Sequence, residues 1–209
     1  MYNNVTLNII CEVTNKIGVI IVSFKIVAFC GSSKPGSYNQ YLINFLRKKY
    51  INEMNLQILD IDDLPFLKFM KYEDFPSKVK YMCQSIQSAD GLVIATPEIN
   101  HGMTANVKNA IDWCSMVPHL LWHKPVMLMG ASTGPLGTVR AQMQLRQVLE
   151  SPMINSRVTR SIECLVTNAQ DLFDENGNLT SQKSIDVMDQ QFNEFKQLIN
   201  ERNQELAHE

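Results

Sequence analysis

Three apolar runs, Phe24–Cys30 (F-K-I-V-A-F-C), Gly91–Ala95 (G-L-V-I-A) and Pro125–Met129 (P-V-M-L-M), each lead into a loop of small and polar residues and then into a stretch with helical spacing. This repeated strand, polar loop and helix constrains the fold more than any other feature. Short continuous apolar runs belong to strands buried on both faces, as in a parallel sheet. Parallel neighbours need crossover connections, and the helical stretches between the runs supply them.

The remaining chain fits the same scheme. Helical spacing covers Tyr38–Tyr50, with Leu42, Phe45 and Leu46 on neighbouring turns, and Pro76–Ser88, where Val79, Met82, Cys83 and Ile86 share one face. Proline suits a helix start because its missing N–H has no intrahelical partner there anyway. Ala105–Cys114, Thr138–Leu149 and Ser181 to about Leu206 read as further helices. Leu56–Leu59 reads as a short strand, Asp60–Phe75 as a long acidic and aromatic loop, and Arg160–Val166 as the last sheet strand. Right-handed crossovers favour a doubly wound sheet. Ligand-type loops after the first, third and fourth strands favour the flavodoxin-like order over the dinucleotide-binding one. The expectation is an α/β fold: a flavodoxin-like doubly wound five-stranded parallel sheet with helices on both faces. One domain covers 24–209, and the switch point lies beside the first and third strands.

At 209 residues, 45% hydrophobic and 19% charged, the chain can bury a full core and is not disordered in composition. A net charge of −2 without a basic stripe argues against nucleic acid as a partner. The five cysteines, Cys11, Cys30, Cys83, Cys114 and Cys164, are odd in number, widely spaced and free of any C-x-x-C. That pattern suits packing in a reduced, cytoplasmic protein and fits neither a disulfide framework nor a zinc site. Residues 1–23 are apolar-rich but broken by Glu12 and Lys16, with no basic segment in front. They read as neither signal peptide nor membrane span. We expect an N-terminal extension outside the core, or a misplaced start, with the functional chain beginning near Val22 or Ser23.

The first loop, G-S-S-K-P-G-S-Y-N (Gly31–Asn39), opens a helix. A phosphate there would meet the unpaired amides and positive end of that helix, with Ser32, Ser37 and Asn39 as added donors and Lys34 as a cation. An ordinary turn with a Ser/Asn cap uses the same residues. The second loop, T-P-E-I-N from Thr96, leaves a strand at the carboxyl edge of the sheet, where open α/β folds bind ligands. Its backbone can read the polar edge of a flat ring, with Asn100 holding the loop through side-chain-to-backbone bonds. On the following helix, Lys108 and Asp112 have the spacing of an ion pair, and Trp113 that of a core or interface residue. The third loop, G-A-S-T-G-P-L-G-T from Gly130, is rich in small residues; Thr138 can cap the next helix, and Arg140 and Gln142 stand within reach of a partner or a phosphate.

Together the blocks I-V-A-F-C-G-S-S-K-x-x-S-x-N, T-P-E-I-N through K-N-A-I-D-W, and G-A-S-T-G-x-x-G-x-x-R-A-Q-x-x-L-R-Q-x-L resemble the NADPH-dependent FMN reductase family, which includes azo-, quinone- and chromate-reducing flavoenzymes. The resemblance runs from Phe24 to the C-terminal helix. It implies that Ser32, Lys34, Ser37 and Asn39 hold the FMN phosphate. Pro97, Glu98, Ile99 and Asn100 would lie along the isoalloxazine, and Ser132 and Gly134 would complete the site. It also implies NAD(P)H as electron donor and a quinone, azo compound, flavin or oxidised metal as acceptor. The helix Lys108–Trp113 would contribute to a homodimer, with a tetramer as the further step. The chain departs from the family pattern at Ser33-Lys34 (usually Leu-Arg), at Ile99 (usually Tyr), at Gly102–Ala105 and at Thr138 (usually Gly). Because the cofactor carries the redox chemistry, no side chain is nominated as catalytic.

Two other functions compete with this one. A flavodoxin-type electron carrier would be strongly acidic with aromatic residues on the ring, against a net charge of −2 and Ile99 here. A degenerate member would bind no flavin. His119 and His123 have helical metal-pair spacing but are flanked by Pro118 and Pro125, His101 faces substrate or solvent, and Asp174–Asn178 is a tight turn without calcium-loop spacing. No metal site is expected.

Overall fold

The computed structural model describes residues 23–208, together with the backbone of Val13–Thr14 and Ile20–Ile21, which pair antiparallel. The expected N-terminal extension, with Cys11, lies otherwise outside the described residues. The main elements are β1 (Phe24–Cys30), α1 (Tyr38–Lys49), β2 (Met54–Leu59), α2 (Ser77–Ser88), β3 (Gly91–Ala95), α3 (Ala105–Ser115), β4 (Pro125–Ala131), α4 (Val139–Leu149), β5 (Arg157–Val158), β6 (Cys164–Val166) and α5 (Gln182–His208). A 3₁₀ turn at Tyr72–Asp74 interrupts the long loop before α2.

All strand pairs of the main sheet are parallel, in the order β2-β1-β3-β4-β5, with β6 also on β4. This is the flavodoxin-like order. Every residue of β3 and β4 is buried. The two-residue period of the strands divides the core: Val27, Phe29, Ile94 and Leu128 pack with α2, α3 and α4, whereas Ile26, Ala28, Val93 and Met127 pack with α1 and α5.

The last strand differs from the expected Arg160–Val166. Two short strands replace it, β5 against the start of β4 and β6 against its end, and the chain leaves the sheet between them. Gln191 of α5, fully buried, fills the gap: its amide donates to the carbonyls of Leu128 (2.9 Å) and Ile162 (3.2 Å) and to the Thr159 hydroxyl (3.2 Å). A side chain thus satisfies a carbonyl that a continuous strand would have paired.

At the amino-terminal end of β4, Lys124 is 1% exposed and donates to the Ile86 (2.9 Å) and Ala89 (2.6 Å) carbonyls at the end of α2. Burial, with the Arg202 charge nearby, pulls its ammonium down to about 7, against the pull of Asp90. The unfolded value is about 10.4. Between the two values the unfolded chain binds more protons, so stability climbs with pH through that window, by up to about 1.4 kcal/mol per unit, and this contribution is flat below about 7. Tyr50, pushed up by burial and by its bond to Asp189, stays protonated throughout. Urea unfolding at about pH 7 and pH 9 should show the native protein gaining about 2 kcal/mol over Lys124→Met. Parallel pH profiles for the two proteins would refute the assignment.

No helix among the described residues is long and apolar enough to cross a membrane.

Candidate active site

The three loops leave the carboxyl ends of β1, β3 and β4, which are adjacent in the sheet. Gly31 joins the first two. Its amide donates to the Ala95 carbonyl (2.8 Å), and a Cβ there would stand 2.7 Å from Thr104 Oγ1 and 3.1 Å from Pro97 Cδ. Only a glycine lets the loops approach this closely. The Thr104 hydroxyl is buried and has no partner among the described residues, leaving an unmet polar atom beside the switch point.

In the first loop Ser32 is half-buried, Lys34 exposed and Ser37 buried. Ser37 stands at the N-cap of α1 but makes no side-chain cap bond, and no acidic residue lies in the first turn. Intrahelical bonding starts with the Tyr41 amide on the Ser37 carbonyl (3.0 Å). The helix therefore meets the crevice with its first amides open and its positive end uncompensated. These features fit a phosphate. Asn39 points elsewhere: it is buried, its amide nitrogen donates to the Ala131 carbonyl (3.0 Å), and its oxygen accepts the Ala131 amide (2.9 Å). It fastens α1 to the end of β4. Cys30 donates to the Ser32 carbonyl (3.4 Å), and burial pushes its thiol up. It packs, as expected.

The second loop contains a two-residue turn. Ile99 and Gly102 exchange both backbone hydrogen bonds (3.0 Å each), and Asn100 (φ 48°) and His101 (φ 65°) between them are left-handed. Asn100 shapes the loop through its backbone; its side chain makes no hydrogen bond among the described residues. Ile99 is 56% exposed. Glu98, expected along the ring, turns its carboxylate to the start of α4, accepting from the amides of Arg140 (2.9 Å) and Ala141 (3.3 Å) and from the Arg140 guanidinium (3.2 Å). Burial raises its pKa, but these donors outweigh burial and hold the carboxyl below the usual glutamate range.

That carboxylate takes the capping role expected of Thr138, which makes no cap bond. Thr138 is instead buried against Gly130, and its hydroxyl accepts from Gln142 (3.1 Å). Gln142 also donates to the Cys164 carbonyl (3.1 Å) and is buried, so it reaches no ligand. In the third loop the Ser132 hydroxyl accepts the Gly134 amide (3.1 Å), closing a small turn at the crevice. Pro97 and Gly134 are both half-buried at the edge of the crevice.

On α3, Lys108 and Asp112 form the expected ion pair (2.7 Å), and Trp113 is core. Asn109 serves as a loop anchor: its side chain accepts the Leu67 amide (2.9 Å) and donates to the Pro65 carbonyl (3.0 Å). A lone polar residue within the buried run Asn109–Ile111 was the sequence signal for it. Gln144, which accepts the Met103 amide (3.0 Å), is exposed and gave no such signal. His119 and His123 lie in turns on either side of Trp122, not on a helix.

Comparison with known proteins agrees with this geometry. The family model described as NADPH-dependent FMN reductase matches residues 24–171. The chain is 35% identical over 169 residues to the CrdA subunit of an NADH:(hydroxy)cinnamate reductase from Vibrio ruber, covering 81% of this chain and 84% of that one. It is 32% identical over 180 residues to a quinone reductase of Escherichia coli, covering 84% and 95%. The flavoenzyme NAD(P)H:(acceptor) oxidoreductase FerB of Paracoccus denitrificans shares the fold, with a TM-score of 0.74 at 24% identity, covering 85% of this chain and 98% of that one. With three ligand loops on adjacent strands of a 2-1-3-4-5 sheet and a match spanning all three, the chain belongs to the NADPH-dependent FMN reductase family.

Proposed function

We propose that the chain is an FMN-dependent NAD(P)H oxidoreductase that passes electrons from NAD(P)H to a small-molecule acceptor such as a quinone, azo compound, flavin or oxidised metal. The observation that carries this reading is the uncapped, acid-free start of α1 at the switch point. Bound there, FMN supplies the two-electron redox chemistry. The chain's own residues bind and orient. Ser32, Ser37 and the first amides of α1 hold the phosphate, with Lys34 adding charge. Pro97, Ile99 and the Asn100 backbone form one wall for the ring, and Ser132 and Gly134 the other. Glu98 and Asn39 keep these walls in place. The working unit is 24–209, in the reducing cytoplasm, where the buried thiols of Cys30, Cys83, Cys114 and Cys164 stay free.

The reading includes a homodimer. The outer faces of α3 and α4 enclose a groove of about 800 Å³, lined by Met103, Val148, Met153 and Ile154 with a polar rim. Met143 and Met153 are 62% and 83% exposed. A second copy would cover them.

One preparation tests both statements. Purified protein mixed with FMN should show bound flavin absorbance that bleaches on anaerobic addition of NADPH or NADH, and light scattering should give twice the 23.8 kDa chain mass. Absence of bound flavin would sink the functional reading. Flavin that neither nucleotide bleaches would make the protein an electron carrier. A mass of one chain would remove the dimer.

A further inference from the structure

The turn in the second loop is unusual in its residues. Two-residue hairpin turns of this type need positive φ at both central positions, which asparagine followed by glycine accommodates best. Here the second position is His101 (φ 65°). A non-glycine residue stays in that region only where its surroundings over-determine it. Asn100 and His101 make no side-chain hydrogen bond among the described residues, so any restraint beyond the two backbone bonds that close the turn comes from outside it.

It comes from α4, on both sides. Upstream, Glu98 is fastened to the first turn of that helix through the amides of Arg140 and Ala141 and the Arg140 guanidinium. Downstream, one turn further along the same helix, Gln144 accepts the Met103 amide (3.0 Å), and its Oε1 lies 2.8 Å from where a Cβ on Gly102 would stand. A rigid eleven-residue helix therefore holds both ends of the segment that carries Ile99, Asn100 and His101. Neither fastening uses a side chain of the turn itself, which leaves all three free to meet a ligand.

We infer that α4 is a splint for the ring-facing turn, and that Glu98 and Gln144 are positioning residues that hold Asn100 and His101 left-handed for the docking of nicotinamide or acceptor. The inference rests on the flavin reading for its functional half. Its structural half stands on the fold alone. Gln144 is exposed on the single chain, where it also lines the α3/α4 groove. Its replacement therefore leaves the core intact, and the mass of Gln144→Ala by light scattering is compared with that of the native protein beside the kinetics. The phosphate loop lies on other elements, so FMN affinity should respond far less than turnover.

Amide exchange and kinetics on Gln144→Ala test this together. Exchange at Ile99 and Gly102, whose amides close the turn, should accelerate by about tenfold. kcat/KM should fall by about tenfold to a hundredfold, as expected when a reacting group is misplaced at a distance, with FMN Kd changed less than about threefold. Adding His101→Gly to Gln144→Ala should restore slow exchange at both amides, because glycine adopts the left-handed region without support. A merely structural role for Gln144 would not be rescued at His101. Glu98→Gln should accelerate exchange at the same two amides. Exchange at Ile99 and Gly102 unchanged within twofold in Gln144→Ala would overturn the splint whether or not the protein binds FMN. Faster exchange without rescue by His101→Gly would overturn the positioning role. If the native protein binds no flavin, the functional reading fails, and the exchange arm still decides the splint.

Discussion

Trp113→Ala is expected to lower the free energy of unfolding by about 4 kcal/mol, near the middle of the range for deleting a buried tryptophan. Trp113 is fully buried in the core between the sheet and α2, α3 and α4, and meets Phe75 edge-on at 5.1 Å. Its indole N–H donates to the Pro65 carbonyl (2.7 Å), so the same side chain anchors the loop of residues 60–75. Alanine would leave a cavity and release that loop together. Urea unfolding measures the first effect. Limited trypsin digestion at Lys68 and Lys71 measures the second, which should be faster in the variant under native conditions. Trp113→Phe keeps an aromatic ring in the core but loses the N–H and part of the indole volume, and should cost about 2 kcal/mol. A Trp113→Ala loss below about 1.5 kcal/mol would mean that the packing around this ring is loose.

Gly130→Ala is the second large effect, expected at about 3 kcal/mol. A Cβ at this position of β4 would stand 1.9 Å from Thr138 Oγ1 and 2.6 Å from the Thr96 carbonyl. The first obstacle is a buried side chain held by Gln142, and the second is backbone, so neither yields easily. Both are fully buried behind the second and third loops, so a shift there displaces the crevice walls and FMN affinity should drop by more than about tenfold along with stability. Thr138→Gly in the same background removes the nearer clash and should recover part of the loss, with the Thr96 contact accounting for the rest. Urea melts of the two single variants and the double variant form the cycle. Strictly additive effects would show that the glycine and the threonine do not press on each other.

Strands β1, β3 and β4 are legible because each is a largely continuous apolar run, and the boundaries of β1, β3 and most helices follow the sequence within a residue or two. The polar loops were legible as sites for the same reason: each interrupts a run where a buried strand must end. What the sequence hides is the choice of hydrogen-bond partner across long separations. Gln191 splits the last strand from about thirty residues away, and Glu98 takes over the cap of α4 from about forty. Thr138, beside that helix in sequence, has every local feature of a cap and loses the role to a charged acceptor that only the fold brings near. Asn39 likewise has the composition of a phosphate donor, yet the sheet edge claims its amide.

The pairing of Asn39 with both backbone groups of Ala131 has a consequence for how such a loop can vary. At its start, the Gly31 amide is pinned to Ala95; at its end, Asn39 acts as one extra rung on the ladder of β4. The intervening residues hang between two fixed posts on the sheet, like a span whose length is set by its abutments. The width of the opening is therefore set by the sheet rather than by residues 32–37, of which Gly36, at φ 72°, is the one whose backbone needs glycine.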